Sequence, residues 1–203
     1  MTRRSLFLGL LCVAGSLSLH AAPQELTTRE ADVMRQKVVA VVVRASTPSA
    51  KGRPAPPART AFSEREVNAY LKYDAAADLP TGVKDPRVTL LGDGKVAARA
   101  LVDLDAVRRS QPRGVLDPMA YMTGVLEVKA TGLLRGVGGK ATFVLESATA
   151  SGIPIPKALL QELISHYSKS PEFPQGISLD KPFDLPAGIR TIEILKGAAA
   201  VIQ

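Results

Sequence analysis

Between Lys95 and Asp105 the chain alternates strictly, with Val96, Ala98, Ala100, Val102 and Leu104 on one side. Lys95, Arg99, Asp103 and Asp105 fall on the other, together with Ala97 and Leu101. A period of two over that length admits only an extended strand with one face buried. Glycine turns bracket it. Gly92-Asp93-Gly94 precedes the run and supplies the positive φ of a hairpin, with alternation already under way in Arg87-Val88-Thr89-Leu90. Two further runs follow. In Gly124 to Leu134, Leu126, Val128 and Ala130 face in. In Lys140 to Thr149, Ala141, Phe143 and Leu145 face in, and Gly136-Val137-Gly138-Gly139 turns the chain between the two. Half-buried strands joined by tight turns predict an antiparallel sheet.

Helices are predicted on both sides of these strands. Ala31, Met34, Val38, Val41 and Ala45 recur at helical spacing after the Thr27/Glu30 capping pair, so 27–45 is expected to be helical. Val39, Val42 and Val43 widen its stripe. A second helix starts at Ser63, with Glu66 completing the box and Phe62 and Val67 spaced as a hydrophobic staple. Val67, Tyr70 and Leu71 mark its buried face, while Glu64, Arg65 and Asn68 are expected to face out. The third helix opens at Pro156, where a missing N–H costs nothing, and carries Leu159, Leu160, Leu163, Ile164 and Tyr167 on its apolar face. Asp105–Ser110 reads as a short helical turn, and Ile189–Leu195 with Ala198–Gln203 as a last hairpin. Helix, helix, strands, helix, strands makes the fold class α+β, with a curved, mainly antiparallel sheet.

The N-terminus has the layout of an exported leader. Arg3 and Arg4 precede the apolar run Leu6–Leu19, and small residues follow at Ala21 and Ala22. The run is shorter than the roughly 20 apolar residues of a membrane span. The expected organisation is a signal peptide over 1–22, cleaved near Ala21/Ala22, an N-terminal helix over 23–45, a Pro-rich basic linker over 46–61 and an α+β domain over 62–203. That makes the protein periplasmic. The single cysteine, Cys12, lies in the leader behind Leu11, where a lipidation signal would need a small residue, so no thiol is expected in the exported part.

Charge and residue content narrow the chemistry. The net charge is +7, which favours an anionic membrane surface. Nucleic acid is not expected: the compartment is wrong, Trp is absent, and basic and aromatic residues do not interleave as in single-strand binders. His166 would be the one histidine beyond the leader and has no evident partner for acid–base or nucleophilic work. No Cys/His set exists for zinc. Asp103 and Asp105 are expected on one solvated strand face, too few oxygens for calcium. No catalytic residue, metal or cofactor is expected.

Small residues on the inward face (Ala98, Ala100, Ala130, Ala141) leave room either for a packed helix or for a groove holding an apolar ligand. Phe62-Ser63-Glu64-Arg65-Glu66-Val67-Asn68-Ala69-Tyr70-Leu71 is similar to the helix opening of the YpmS and YceB kinds of envelope protein. Gly152-Ile153-Pro154-Ile155-Pro156 before Leu159-Leu160, and Phe183-Asp184-Leu185-Pro186-Ala187-Gly188-Ile189 before two final strands, extend the resemblance over about 62–203. It implies a tubular lipid-binding (TULIP-like) fold, in which a curved sheet wraps a long helix, and binding or transport of a lipid or other hydrophobic ligand in the bacterial envelope. Groove-lining residues would be Val67, Tyr70 and Leu71; Val96, Ala98, Leu126, Val128, Phe143 and Leu145; and Leu160, Leu163 and Ile164. The alternative partner is an envelope protein, held by an interaction module with a filled core.

Overall fold

The alternating runs do pair as a sheet. A computed structural model describes residues 25–47, 56–110, 123–167, 175, 178–179 and 181–203. In chain order the elements are α1 (Thr28–Ser46), β1 (Arg59–Ser63), α2 (Glu64–Tyr73), a 3-10 turn (Ala75–Ala77), β2 (Val83–Gly92), β3 (Lys95–Asp103) and α3 (Leu104–Ser110). Then come β4 (Val125–Val137), β5 (Lys140–Ala150), β6 (Ile153–Pro154), α4 (Lys157–Tyr167), β7 (Phe183–Asp184), β8 (Thr191–Leu195) and β9 (Ala198–Ile202). The class is α+β. One large open sheet runs β1-β9-β8-β4-β3-β2, with β5 on the other edge of β4 and the short β6 and β7 beside β5. Every described strand pair is antiparallel. The leader falls on residues outside those described.

Strand β4 is the spine. It pairs with β3 over residues 125–133, then meets β8 beyond the end of β3 through Gly136 and Ile192. A Cβ on Gly136 would lie 3.0 Å from the Ile192 side chain, so glycine permits that approach. On its other edge β4 pairs with β5. Glu146 is squeezed out there, because Thr131 faces Ser147 while Gly132 faces Leu145. This β-bulge keeps Ala141, Phe143 and Leu145 on the same face as Ala148 and Ala150, although their numbers change parity. Helix α4 lies against that face. Ala148, Leu160 and Leu179 are buried there, with Ala130, Phe143, Leu145, Ile155 and Ile164 packed around them.

Helices α1 and α2 carry both predicted capping boxes, Thr27/Glu30 and Ser63/Glu66. They bury Leu26, Ala31 and Ala69 between them. Salt bridges tie them crosswise: Arg35–Asp74 at 2.7 Å, Lys37–Glu66 at 2.7 Å, and Arg65 with Glu30. The Arg65 guanidinium and the Thr27 N–H hold the Glu30 carboxyl down at about 2. Burial pushes Glu66 up, but the Lys37 and Ser63 hydrogen bonds outweigh it, so its net shift is downward. Carboxyls with depressed folded-state values stabilise above their unfolded value and lose that contribution as pH falls. Stability is therefore expected to drop between about pH 4.5 and pH 2. Urea midpoints across that window should fall, and should fall less in Glu30→Gln.

Four expectations change. The segment 46–61 is not linker throughout: Ser46 ends α1, and Arg59, Thr60 and Ala61 pair with β9. The backbone groups of Ala58 and Gln203 extend that ladder, because the prolines stop at Pro57. Asn68 does not face out. It is buried at 6 % exposure, its Nδ2 donates to the Val88 (2.7 Å) and Glu64 (2.9 Å) carbonyls, and its Oδ1 accepts the Val88 N–H at 2.7 Å. Glu64 turns in as well, accepting the Leu90 N–H at 2.8 Å. Helix α2 thus closes the edge of β2, a place where unpaired backbone would otherwise be open to association.

The third change is at Leu104, which begins α3 instead of continuing β3. Asp103 accepts the Ala106 N–H at 2.9 Å as the cap and binds Lys84 at 2.9 Å. Asp105 accepts the Gly124 N–H at 3.0 Å, so the two aspartates do not share a strand face. Lastly, Ala98 shares the inward register with Val88 and Ala130 but is exposed.

Candidate apolar cleft

The register of three strands assembles a hydrocarbon floor. Val83 faces Val102, and Val102 faces Leu126. One step along, Val128 faces Ala150. Leu104 and Val107 of α3 form one wall. Ile155 with Leu159, Leu160 and Ile164 of α4 forms the other, and Pro80 and Thr81 sit at the rim. The cleft holds about 290 Å³ and is open to solvent. Among the described residues Thr81 brings the only side-chain hydroxyl to this lining, and none of the described lining residues is ionisable.

Local chemistry explains why the walls stand there. The Asp103 cap turns the chain abruptly from β3 into α3. Gly82, at φ +87°, lets the preceding loop close onto that corner, and its carbonyl accepts the Asp103 N–H at 2.8 Å. A Cβ at Gly82 would meet Val107 Cγ2 at 2.6 Å and the Asp103 carbonyl oxygen at 2.7 Å. Across the cleft, α4 is held by Leu160 in the core and by the Gln161 side-chain carbonyl, which accepts the Leu179 N–H at 2.6 Å.

The residues expected to line one groove are in several places. Leu126, Val128, Leu160 and Ile164 line the cleft. Phe143 and Leu145 pack beside it in the Ala148–Leu160–Leu179 cluster. The Leu163 and His166 side chains lie outside the described residues. Val96 and Ala98 share the inward face, nearer the β2–β3 turn. Val67, Tyr70 and Leu71 belong to α2, which packs on α1 and on β2. Leu71 lines a separate groove of about 320 Å³ with Lys72, Leu79, Lys84 and Arg87. Sequence reasoning did not assign Val83, Val107, Ala150 or Ile155 to the site. Val102 and Leu104 were legible as inward residues and are part of it.

Several of the ionisable groups outside the cleft are held in ion pairs. Backbone and Lys84 hydrogen bonds lower Asp103, while Lys129 and then Arg99 lower Glu127. Among the described residues no three His, Cys, Asp or Glu side chains gather as a metal site, and no helix is long and apolar enough to cross a membrane. Comparison with known protein families, with curated proteins and with solved structures gives no match.

Proposed function

We propose that this chain is a non-enzymatic binder of a lipid or another hydrophobic ligand, working in the bacterial cell envelope after export. The observation that carries the reading is the cleft over Val83, Val102 and Leu126, whose described lining residues carry no charge. Its volume of about 290 Å³ is at the lower end of the roughly 300–1,000 Å³ of small-molecule pockets. That suits a single acyl chain or a compact apolar molecule. Each methylene moved from water into such a lining contributes about 0.8 kcal/mol. The leader-like N-terminus and the YpmS/YceB resemblance support the envelope setting. The tubular lipid-binding reading rests on that resemblance and on a bulged antiparallel sheet with α4 against its inner face. The longest described helix, α1, packs instead on α2 and β1.

Leu159 at the mouth gives a clean test, because it is 43 % exposed and tolerates a charge without loss of core. Leu159→Asp should weaken binding of a fluorescent fatty-acid probe at least about tenfold, since a carboxylate at the rim repels both the chain and its head group. Ala98→Asp, on the exposed part of the same sheet face, should leave it unchanged. Equal binding by all three proteins would reject the cleft as the site. One observation favours the second reading, an interaction module: α1 exposes Val39, Val42 and Val43 together. Deleting α1 should then abolish partner crosslinking in cells without affecting probe binding.

A further inference from the structure

The face of the sheet turned away from α4 has a charge arrangement that the linear sequence hides. Register puts Arg87 of β2 beside Arg99 of β3, and Arg99 beside Lys129 of β4. Three cations thus stand in a row across adjacent strands. Like charges directly opposite destabilise a sheet. Among the described residues only Glu127 answers them, at 2.7 Å from Lys129 and 3.6 Å from Arg99. Among the described residues Arg87 has no carboxylate partner within ion-pair distance.

Other groups on this face extend the pattern. Lys84 and Lys95 are present, each neutralised by one carboxylate. Arg135 is exposed and, among the described residues, makes no ion pair. Exposed valines interrupt the charges: Val125, Val144, and Val137 at the tip of the β4–β5 hairpin with 74 % exposure. Where β2 begins, the groove of about 320 Å³ sets Lys72, Lys84 and Arg87, with Asp85 among them, around Leu71 and Leu79.

We propose that this outward face of β2–β3–β4–β5 docks on an anionic phospholipid surface, with Val137 entering the interface. Cations spread over a plane match many identical, laterally mobile anions better than they match the fixed carboxylates of one protein. Apolar side chains between cations are the composition of surfaces that lie in a lipid interface. The repulsion within the Arg87–Arg99–Lys129 row is relieved when lipid phosphates stand opposite it. Docking through this face leaves the cleft, which opens on the other side of the sheet, free of the membrane plane.

The test is co-sedimentation of the protein, in the form that cells accumulate, with two kinds of vesicle. One is pure phosphatidylcholine. The other is equal parts phosphatidylcholine and phosphatidylglycerol. Binding is expected only to the second and should fade in high salt. Arg87→Gln/Arg99→Gln/Lys129→Gln should weaken it about a hundredfold, at about fivefold for each cation near the surface. Neutralising Arg29, Lys157 and Lys181, exposed but off this face, should change it less than about threefold. If the triple variant folds poorly, Arg87→Gln/Arg135→Gln removes two cations free of described ion pairs, for an expected loss of about twenty-five-fold. Equal losses in the face and control variants would overturn the proposal, as would equal binding to both vesicles. Binding to poly-glutamate without binding to either vesicle would also overturn it, in favour of an acidic protein. The assay reads the outer face alone, so it can fail while ligand binding in the cleft stands, and the reverse.

Discussion

Asn68→Ala should destabilise the protein by about 4 kcal/mol, because two buried backbone groups lose their partner at once. Asn68 acts as a strand neighbour that happens to sit on a helix. Its oxygen takes the Val88 N–H and its nitrogen serves the Val88 carbonyl, both at 2.7 Å. An unsatisfied buried group costs about 1–3 kcal/mol, so the two Val88 groups together account for the expected loss. Asn68→Asp should do no better. It keeps the acceptor but sets a carboxylate against the Val88 carbonyl oxygen. Urea unfolding followed by circular dichroism measures both variants. Loss of less than about 1 kcal/mol in Asn68→Ala would mean that α2 does not hold that edge.

The second large effect is expected at Gly132, where no backbone strain is involved. A Cβ there would lie 2.6 Å from Phe143 Cζ and 2.6 Å from the Val144 carbonyl oxygen. The ring can swing aside, but the oxygen belongs to the β4–β5 ladder. Gly132→Ala should therefore cost about 3 kcal/mol, at the upper end of overpacking effects. Adding Phe143→Leu should recover only the part due to the ring, so the double variant stays well below the parent in melting temperature. Full recovery would place the whole conflict in the side chain.

The sequence showed most where physics is local. Both capping boxes and the hairpin at Asp93-Gly94 depend on residues three or four apart, and they stand where the pattern put them. The β5 bulge is also written in the chain, as apolar residues that shift from Phe143 and Leu145 to Ala148 and Ala150, but a reading by strict alternation passes over it. Asn68 was misread because its partner is twenty residues away on a strand edge that helix periodicity cannot show. The end of β3 was misread because Leu104 keeps the alternation going; only Asp103, bonded to Ala106, marks the stop.

The candidate site was half legible for the same reason. Periodicity identifies apolar faces, and it selected Leu126, Val128, Leu160 and Ile164. It does not say what each face meets. Val67, Tyr70 and Leu71 are only half-buried on α2, a helix that packs on α1 and β2 and buries Asn68 and Ala69 instead. Val83 and Val102 become neighbours of Leu126 only through register across three strands.

The most direct measurement of the ligand-binding account is photocrosslinking with a diazirine-bearing fatty acid, mapped by peptide mass spectrometry. Labels should collect on the peptides carrying Val102–Val107, Leu126–Val128 and Leu159–Ile164, and an excess of unlabelled fatty acid should remove them. Labelling confined to Val39–Val43 of α1, or labelling that no competitor displaces, would contradict it.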